Sequence, residues 1–153
     1  MAMLSRLWQM PEGLEVRPDG SWRVGDQPVS HPPTLRYLKS HLRLDEQGHA
    51  FVEDGAQRVP VALQGPPFEV VRLVIDGARS TARAVLDDGS EELIREDSLG
   101  MDPLTGRFHC LVRNGLAEAV LSRGAHQTLL AHIGEEGGRF FLQAGPRRLP
   151  VRA

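Results

Sequence analysis

Cysteine is all but missing from this chain. Cys110 stands alone, so no internal disulfide can form and a disulfide-scaffolded secreted domain is excluded. Neither sign of charge prevails, with 18 basic against 20 acidic residues and a formal net charge of −2. The balance holds in each half: residues 1–76 carry 8 basic and 10 acidic groups, residues 77–153 carry 10 and 10. That removes the electrostatic footprint of nucleic-acid binding, which needs a basic surface to displace counterions. Lysine is reduced to Lys39, the other 17 cations being arginine, a bias expected of a GC-rich genome. No apolar run approaches the ~18 residues of a spanning helix. The first ten residues lack the continuous apolar stretch of a signal peptide, so the expectation is a cytoplasmic protein without a membrane span. The phosphate-binding G-x-x-x-x-G-K-[ST], the dinucleotide G-x-G-x-x-G and the nucleophile-elbow G-x-S-x-G are all missing too.

What is present suffices to fold. Leu, Val, Phe and Ile make up 41 of the 153 residues, about 27%, above the ~20% level of disordered chains. Gly and Pro total 27, giving many turns. Leu14 to Arg17 and Trp22 to Gly25 flank Pro18-Asp19-Gly20, predicting an opening hairpin. After Ser30-His31-Pro32-Pro33, Leu35, Leu38 and Leu42 repeat with helical spacing. His49 to Glu53 and Arg58 to Leu63 read as a second hairpin. Gln64-Gly65-Pro66-Pro67 breaks the pattern, because consecutive prolines cannot donate to a ladder.

Beyond the break, Phe68 to Ile75, Thr81 to Leu86 and Glu91 to Ile94 predict a meander, and residues 95–106 a loop. Arg107 to Arg113 alternates as a strand. Asn114-Gly115 is read as opening a helical region from Leu116 to Ile133, bent near Gly124. Arg139 to Gln143 and Arg147 to Val151 close the chain as a hairpin. The expected architecture is therefore α+β, two small similar subdomains with one helix each in a curved antiparallel sheet. The boundaries are an extension over 1–13, a subdomain over 14–64 and another over 65–153.

No catalytic constellation emerges. Cys110 has His109 beside it, but neighbours in a strand point to opposite faces, so His109 cannot readily take its proton. A small buried hydrophobe is the preferred reading, with a Cys110 hydrolase or transferase as the alternative. The six histidines show no ligand spacing. His126 and His132 are six apart and would diverge by about 120° on a helix, so no metal and no cofactor is expected. Asp87, Asp88, Glu91 and Glu92 suit a solvated turn, not a calcium loop or a glycosidase pair.

Recognition surface remains. Trp22, Tyr37, Arg36, Arg113 and Arg123 are the residue types that dominate binding hot spots. Arg113 is placed near the N-terminus of the expected second helix, where it either meets an anionic ligand or pairs with Glu118. Leu4, Leu7 and Trp8 form an apolar helical stripe suited to a partner or to the protein's own core.

Several strings carry a family resemblance. They are Asp19-Gly20-Ser21-Trp22 with Gly25 and Pro28-Val29, the leucines of the first helix, and Asp45 followed by Gly48. Pro66-Pro67-Phe68 and Val112-Arg113-Asn114-Gly115-Leu116 complete the set. Over residues 14–151 the chain resembles the bacterial family called domain of unknown function 1285, whose V-R-x-G-L segment the last string matches. The resemblance implies two subdomains with a pleckstrin-homology-like core and a role in signal transduction, with no established catalytic residue. It also marks departures: Gln64-Gly65 where acidic residues are common, and Asp97 to Asp102 where the family carries a His-Pro-Leu string.

The resulting expectation is a non-enzymatic binding or adaptor module of bacterial cytoplasm. Its partner would be a protein or a small ligand met near the subdomain junction through Trp22, Tyr37, Arg113 and Arg123. Anionic-ligand or lipid binding is the further alternative.

Overall fold

The computed structural model describes residues 11–152. Leu4, Leu7 and Trp8 lie outside the described residues. The chain divides into two compact units between Pro67 and Phe68.

The first unit contains β1 (Leu14–Val16), β2 (Trp22–Val24), β3 (Gln27–Pro28), α1 (Pro32–Ser40), β4 (Leu42–Leu44), β5 (Ala50–Asp54) and β6 (Gln57–Leu63), with sheet order β3-β2-β1-β6-β5-β4. The second contains β7 (Phe68–Asp76), β8 (Thr81–Leu86), β9 (Glu91–Leu93), β10 (Leu99–Met101), β11 (Phe108–Val112), β12 (Ala117–Leu121) and α2 (Arg123–His132). There the order is β10-β11-β12-β7-β8-β9. A further antiparallel sheet follows from β13 (Ile133–Glu136), β14 (Arg139–Ala144) and β15 (Arg147–Val151).

The two six-stranded sheets have one topology. Each is a pair of three-stranded meanders, and the first strand of the first meander lies parallel to the last strand of the second. Leu14 and Val16 pair with Val61 and Leu63, and Phe68 and Val70 pair with Ala119 and Leu121. Even the bond that ends each parallel ladder repeats: Gln64 N–H donates to Val16 O at 2.8 Å and Ser122 N–H to Val70 O at 2.9 Å. The sheets are therefore mixed, not wholly antiparallel as the strand spacing suggested.

The helices break the repeat. In the second unit Ser122 Oγ accepts the Ala125 N–H at 3.2 Å, satisfying a donor the first helical turn leaves open, and α2 starts directly after β12. At the matching point of the first unit the chain reads Gly65-Pro66-Pro67 and passes straight into β7, with no helix between. Gly65 passes so close to the opening turn that a Cβ would lie 2.2 Å from Arg17 O. The first unit's helix instead joins β3 to β4.

Each core is the inward face of its alternating strands. Leu14, Val16, Trp22, Leu38, Leu42 and Val52 are buried in the first unit; Phe68, Val70, Leu86, Leu99, Cys110 and Leu129 are buried in the second.

Four readings of the sequence need correction. Leu116 to Ile133 is not one helix: Ala117, Ala119 and Leu121 are buried while Glu118 is exposed, a period of two, and Asn114-Gly115 is the turn of a hairpin. Leu42 is not the third residue of a helical stripe, because α1 stops at Ser40 and Leu42 pairs with Val52 in β4. The 95–106 segment contains β10, too short to show alternation and held by β11 on one side and by Arg152 on the other. The closing hairpin gains β13 as a third strand.

Candidate functional site

The β11–β12 turn is the most constrained surface feature of the second unit. Arg113, Asn114 and Gly115 have φ of +54°, +58° and +83°. Two successive non-glycine residues thus occupy the left-handed region, where a Cβ is strained. Overlapping turn bonds close the loop, Gly115 N–H to Val112 O and Leu116 N–H to Arg113 O, both 3.1 Å.

Side chains from the β8–β9 region hold this conformation. Arg113 N–H donates to Glu92 Oε1 at 3.0 Å. Its guanidinium pairs with Asp88 Oδ2, donates to Ser90 Oγ at 3.3 Å, and stands 3.8 Å from Glu92 Oε2. The same group lies over the Phe68 ring, 4.8 Å from the centroid. Arg95 braces the far side by donating to Asn114 Oδ1 at 2.8 Å.

Asp88 is the buried end of the network, its side chain only 3% exposed. Burial alone would raise its pKa. Hydrogen bonds from the Ser90 hydroxyl and N–H, with the Arg113 charge, outweigh that and hold the carboxyl below its ordinary value. The network buries a charge only with its counter-charge, and it presents Leu116 at 40% exposure on the turn it fixes.

The residues singled out in the sequence fall in separate places. Arg113 is not at a helix N-terminus, since β12 follows the turn, and its partners are Asp88 and Glu92, not Glu118. Trp22 is 2% exposed, with Nε1–H donating to Pro67 O at 3.0 Å, so it acts as a core side chain. Tyr37 is 4% exposed and its hydroxyl donates to Asp54 Oδ2. Burial, then the neighbouring carboxylate, pushes that phenol up to about 12. Arg36 is exposed on α1, and Arg123 is exposed in the first turn of α2.

Cys110 is not arranged as a nucleophile. It is 1% exposed, and burial pushes its thiol up to about 11, far from the thiolate a nucleophile requires. Its sulfur neighbours are Ser98 Oγ at 3.7 Å and Leu111 O at 3.5 Å. His109 faces the other way, its ring covering Gly100 so closely that a Cβ there would lie 2.4 Å from Nε2. His126 stacks against Phe108, ring centroids 5.1 Å apart, whereas His132 meets Thr128 O at 3.0 Å, so the two do not converge. Among the described residues no three His, Cys, Asp or Glu side chains group as metal ligands.

No protein-family model matches the chain, and no curated protein matches it. Solved structures do. A DUF1285 family protein from Silicibacter pomeroyi superposes with a TM-score of 0.72 at 22% identity, over 97% of this chain and 86% of that one. A DUF1285 family protein from Shewanella baltica gives a TM-score of 0.56 at 12% identity, over 78% of this chain and 91% of its own. The fold is that of the DUF1285 family.

Asp102-Pro103-Leu104 occupies the loop that follows β10. Asp102 has a local use there. Its Oδ1 accepts the Leu104 N–H at 2.9 Å, its carbonyl accepts the Gly106 N–H at 2.7 Å, and Leu104 projects at 93% exposure. Leu104 carried no motif and Leu116 only closed the V-R-x-G-L string; two leucines beside turn-forming Asp102-Pro103 and Asn114-Gly115 were the available signal.

Proposed function

We propose that this chain is a non-enzymatic binding module of the bacterial cytoplasm. In this reading it serves as an adaptor in signal transduction and meets a protein partner through the β11–β12 turn of its second unit. The observation that carries this reading is the left-handed Arg113-Asn114 pair. Each such residue costs on the order of 1 kcal/mol or more. The chain meets that cost with a buried ion pair, a carboxylate on the Arg113 N–H and an arginine on Asn114. Strain maintained this way gives a rigid, pre-ordered turn with an apolar tip at Leu116, which lowers the ordering entropy of association. In this role Arg113 positions the turn and Leu116 makes the contact.

Affinity purification with the whole chain as bait, set beside Leu116→Glu and an Arg79→Ala control, tests the proposal. The expected result is a protein enriched by wild type and by Arg79→Ala and lost with Leu116→Glu, with all three baits melting alike. Identical enrichment by wild type and Leu116→Glu overturns it, as does a wild-type bait that enriches nothing.

A further inference from the structure

Among the described residues three arginines lie over phenylalanine rings, and one of the three differs from the others. Arg113 over Phe68 is matched by Asp88 and Glu92, and Arg148 over Phe141, at 4.4 Å, is matched by Glu136. Arg58 lies closest to its ring, 3.6 Å from the Phe51 centroid, yet no carboxylate among the described residues comes within ion-pair distance of it. At 3.6 Å the guanidinium carbon lies against the ring face, which leaves N–H groups available to an acceptor. The hairpin register fixes this arrangement: Phe51 opposes Pro60 and Glu53 opposes Arg58, placing all four on one face of the first unit's sheet.

Arg58 lines an open groove of about 620 Å³ together with His49, Ala50, Phe51, Pro60 and Val61. That volume falls in the range of small-ligand sites; its polar groups are Asp45, His49 and Arg58, and Phe51 and Pro60 are the apolar side chains on the Arg58 face. His49 is oriented by Asp45, whose Oδ2 lies 3.1 Å from Nδ1, leaving Nε2 as the ring's other polar edge. Asp45 is held in its own turn by the N–H groups of Gln47 and His49, at 3.0 and 2.8 Å.

We propose that this groove is a binding site for a small monocarboxylate with an apolar body. The carboxylate takes the fork of Arg58, and the body lies against Pro60 beside the Phe51 ring, on the same face of the hairpin. A planar carboxylate fits the N–H fork in two parallel bonds. A single anionic charge fits better than two, because Asp45 at the rim and Glu53 across from Arg58 repel a dianion more strongly. The stack on Phe51 fixes the guanidinium beforehand, so little side-chain freedom is lost on binding. The site is independent of the turn at Arg113 and does not rest on the adaptor reading.

The test is a titration of the whole isotope-labelled chain with benzoate, read by two-dimensional NMR at constant ionic strength, with inorganic phosphate and chloride as parallel arms. The expected result is saturable shifts at the Arg58 side chain and the Ala50 and Phe51 amides, with weaker shifts from phosphate and none from chloride. Arg58→Gln, which retains the spectrum of the folded chain, weakens benzoate binding about tenfold or more, the value of losing charge-assisted hydrogen bonds. Phe51→Leu keeps the apolar wall and lowers affinity by a smaller factor. Shifts that do not saturate, equal binding by Arg58→Gln, or phosphate binding as tightly as benzoate each overturn the proposal.

Discussion

Arg113→Ala isolates the counter-charge that lets Asp88 stay ionised inside the second unit. Breaking a buried ion pair by removing one partner costs about 3–5 kcal/mol, because the remaining charge is left without compensation. Two features of the site pull toward the lower end. Arg113 is 28% exposed, so solvent already screens part of the pair, and Asp88 keeps both hydrogen bonds from Ser90. Loss of the contact with the Phe68 ring adds a fraction of a kcal/mol to about 1 kcal/mol. Alanine at φ +54° inherits the backbone strain and relieves none of it. The expected cost is about 3 kcal/mol, which for a unit of this size lowers its melting temperature by roughly 10–20 °C. Differential scanning calorimetry of the whole chain reads it directly. Arg113→Ala combined with Asp88→Asn should recover part of the loss, with a coupling of about 1–3 kcal/mol. A melting temperature within about 2 °C of wild type for Arg113→Ala refutes the reasoning, since that corresponds to under 1 kcal/mol.

Further outcomes follow from the same geometry. Asp88 has a lowered pKa in the fold, so its contribution to stability is complete above its unfolded value near 4 and is lost as pH falls through the lower folded value; acid unfolding of Asp88→Asn should lack that component. Tyr37 is the chain's only tyrosine, so ultraviolet titration reads one phenol, and it should ionise near 12 in the native protein and near 10 after unfolding in denaturant. That raised value stabilises the fold below about pH 10, with the gain disappearing as pH climbs toward 12. Cys110 should resist alkylation at pH 8 until the protein unfolds, and labelling of the native chain within minutes would contradict its burial. Gly145→Ala should destabilise the second unit strongly, because its Cβ would stand 2.2 Å from Gly77 O on a backbone of φ +59°, and calorimetry of that variant checks it.

Local features were legible in the sequence, and long-range ones were not. Asp19-Gly20 and Asp54-Gly55 mark hairpins because their glycines take φ of +87° and +60°, which the residue type permits. Asn114-Gly115 belongs to the same class but was read as the start of a helix. The following Ala117-Glu118-Ala119 has high helix propensity, and pairing with β7 and β11 overrides it. The partners of Arg113 lie 21 and 25 residues away, so the sequence offered only the nearby Glu118. The parallel pairs that make the two sheets alike join strands farther apart still in the sequence, and no local periodicity encodes them. Trp22 and Tyr37 drew attention as hot-spot types, yet the large apolar area that suits an interface suits a core equally. The Arg58–Phe51 stack was within reach, because alternation along the second hairpin already puts both residues on one face.

The adaptor reading stands or falls on what touches the β11–β12 turn. Hydrogen exchange of the intact chain, alone and saturated with the protein captured by wild-type bait and lost with Leu116→Glu, reads that contact residue by residue. Added protection at residues 113–116 is the predicted result. Protection that appears elsewhere while 113–116 exchange as in the free chain contradicts the account.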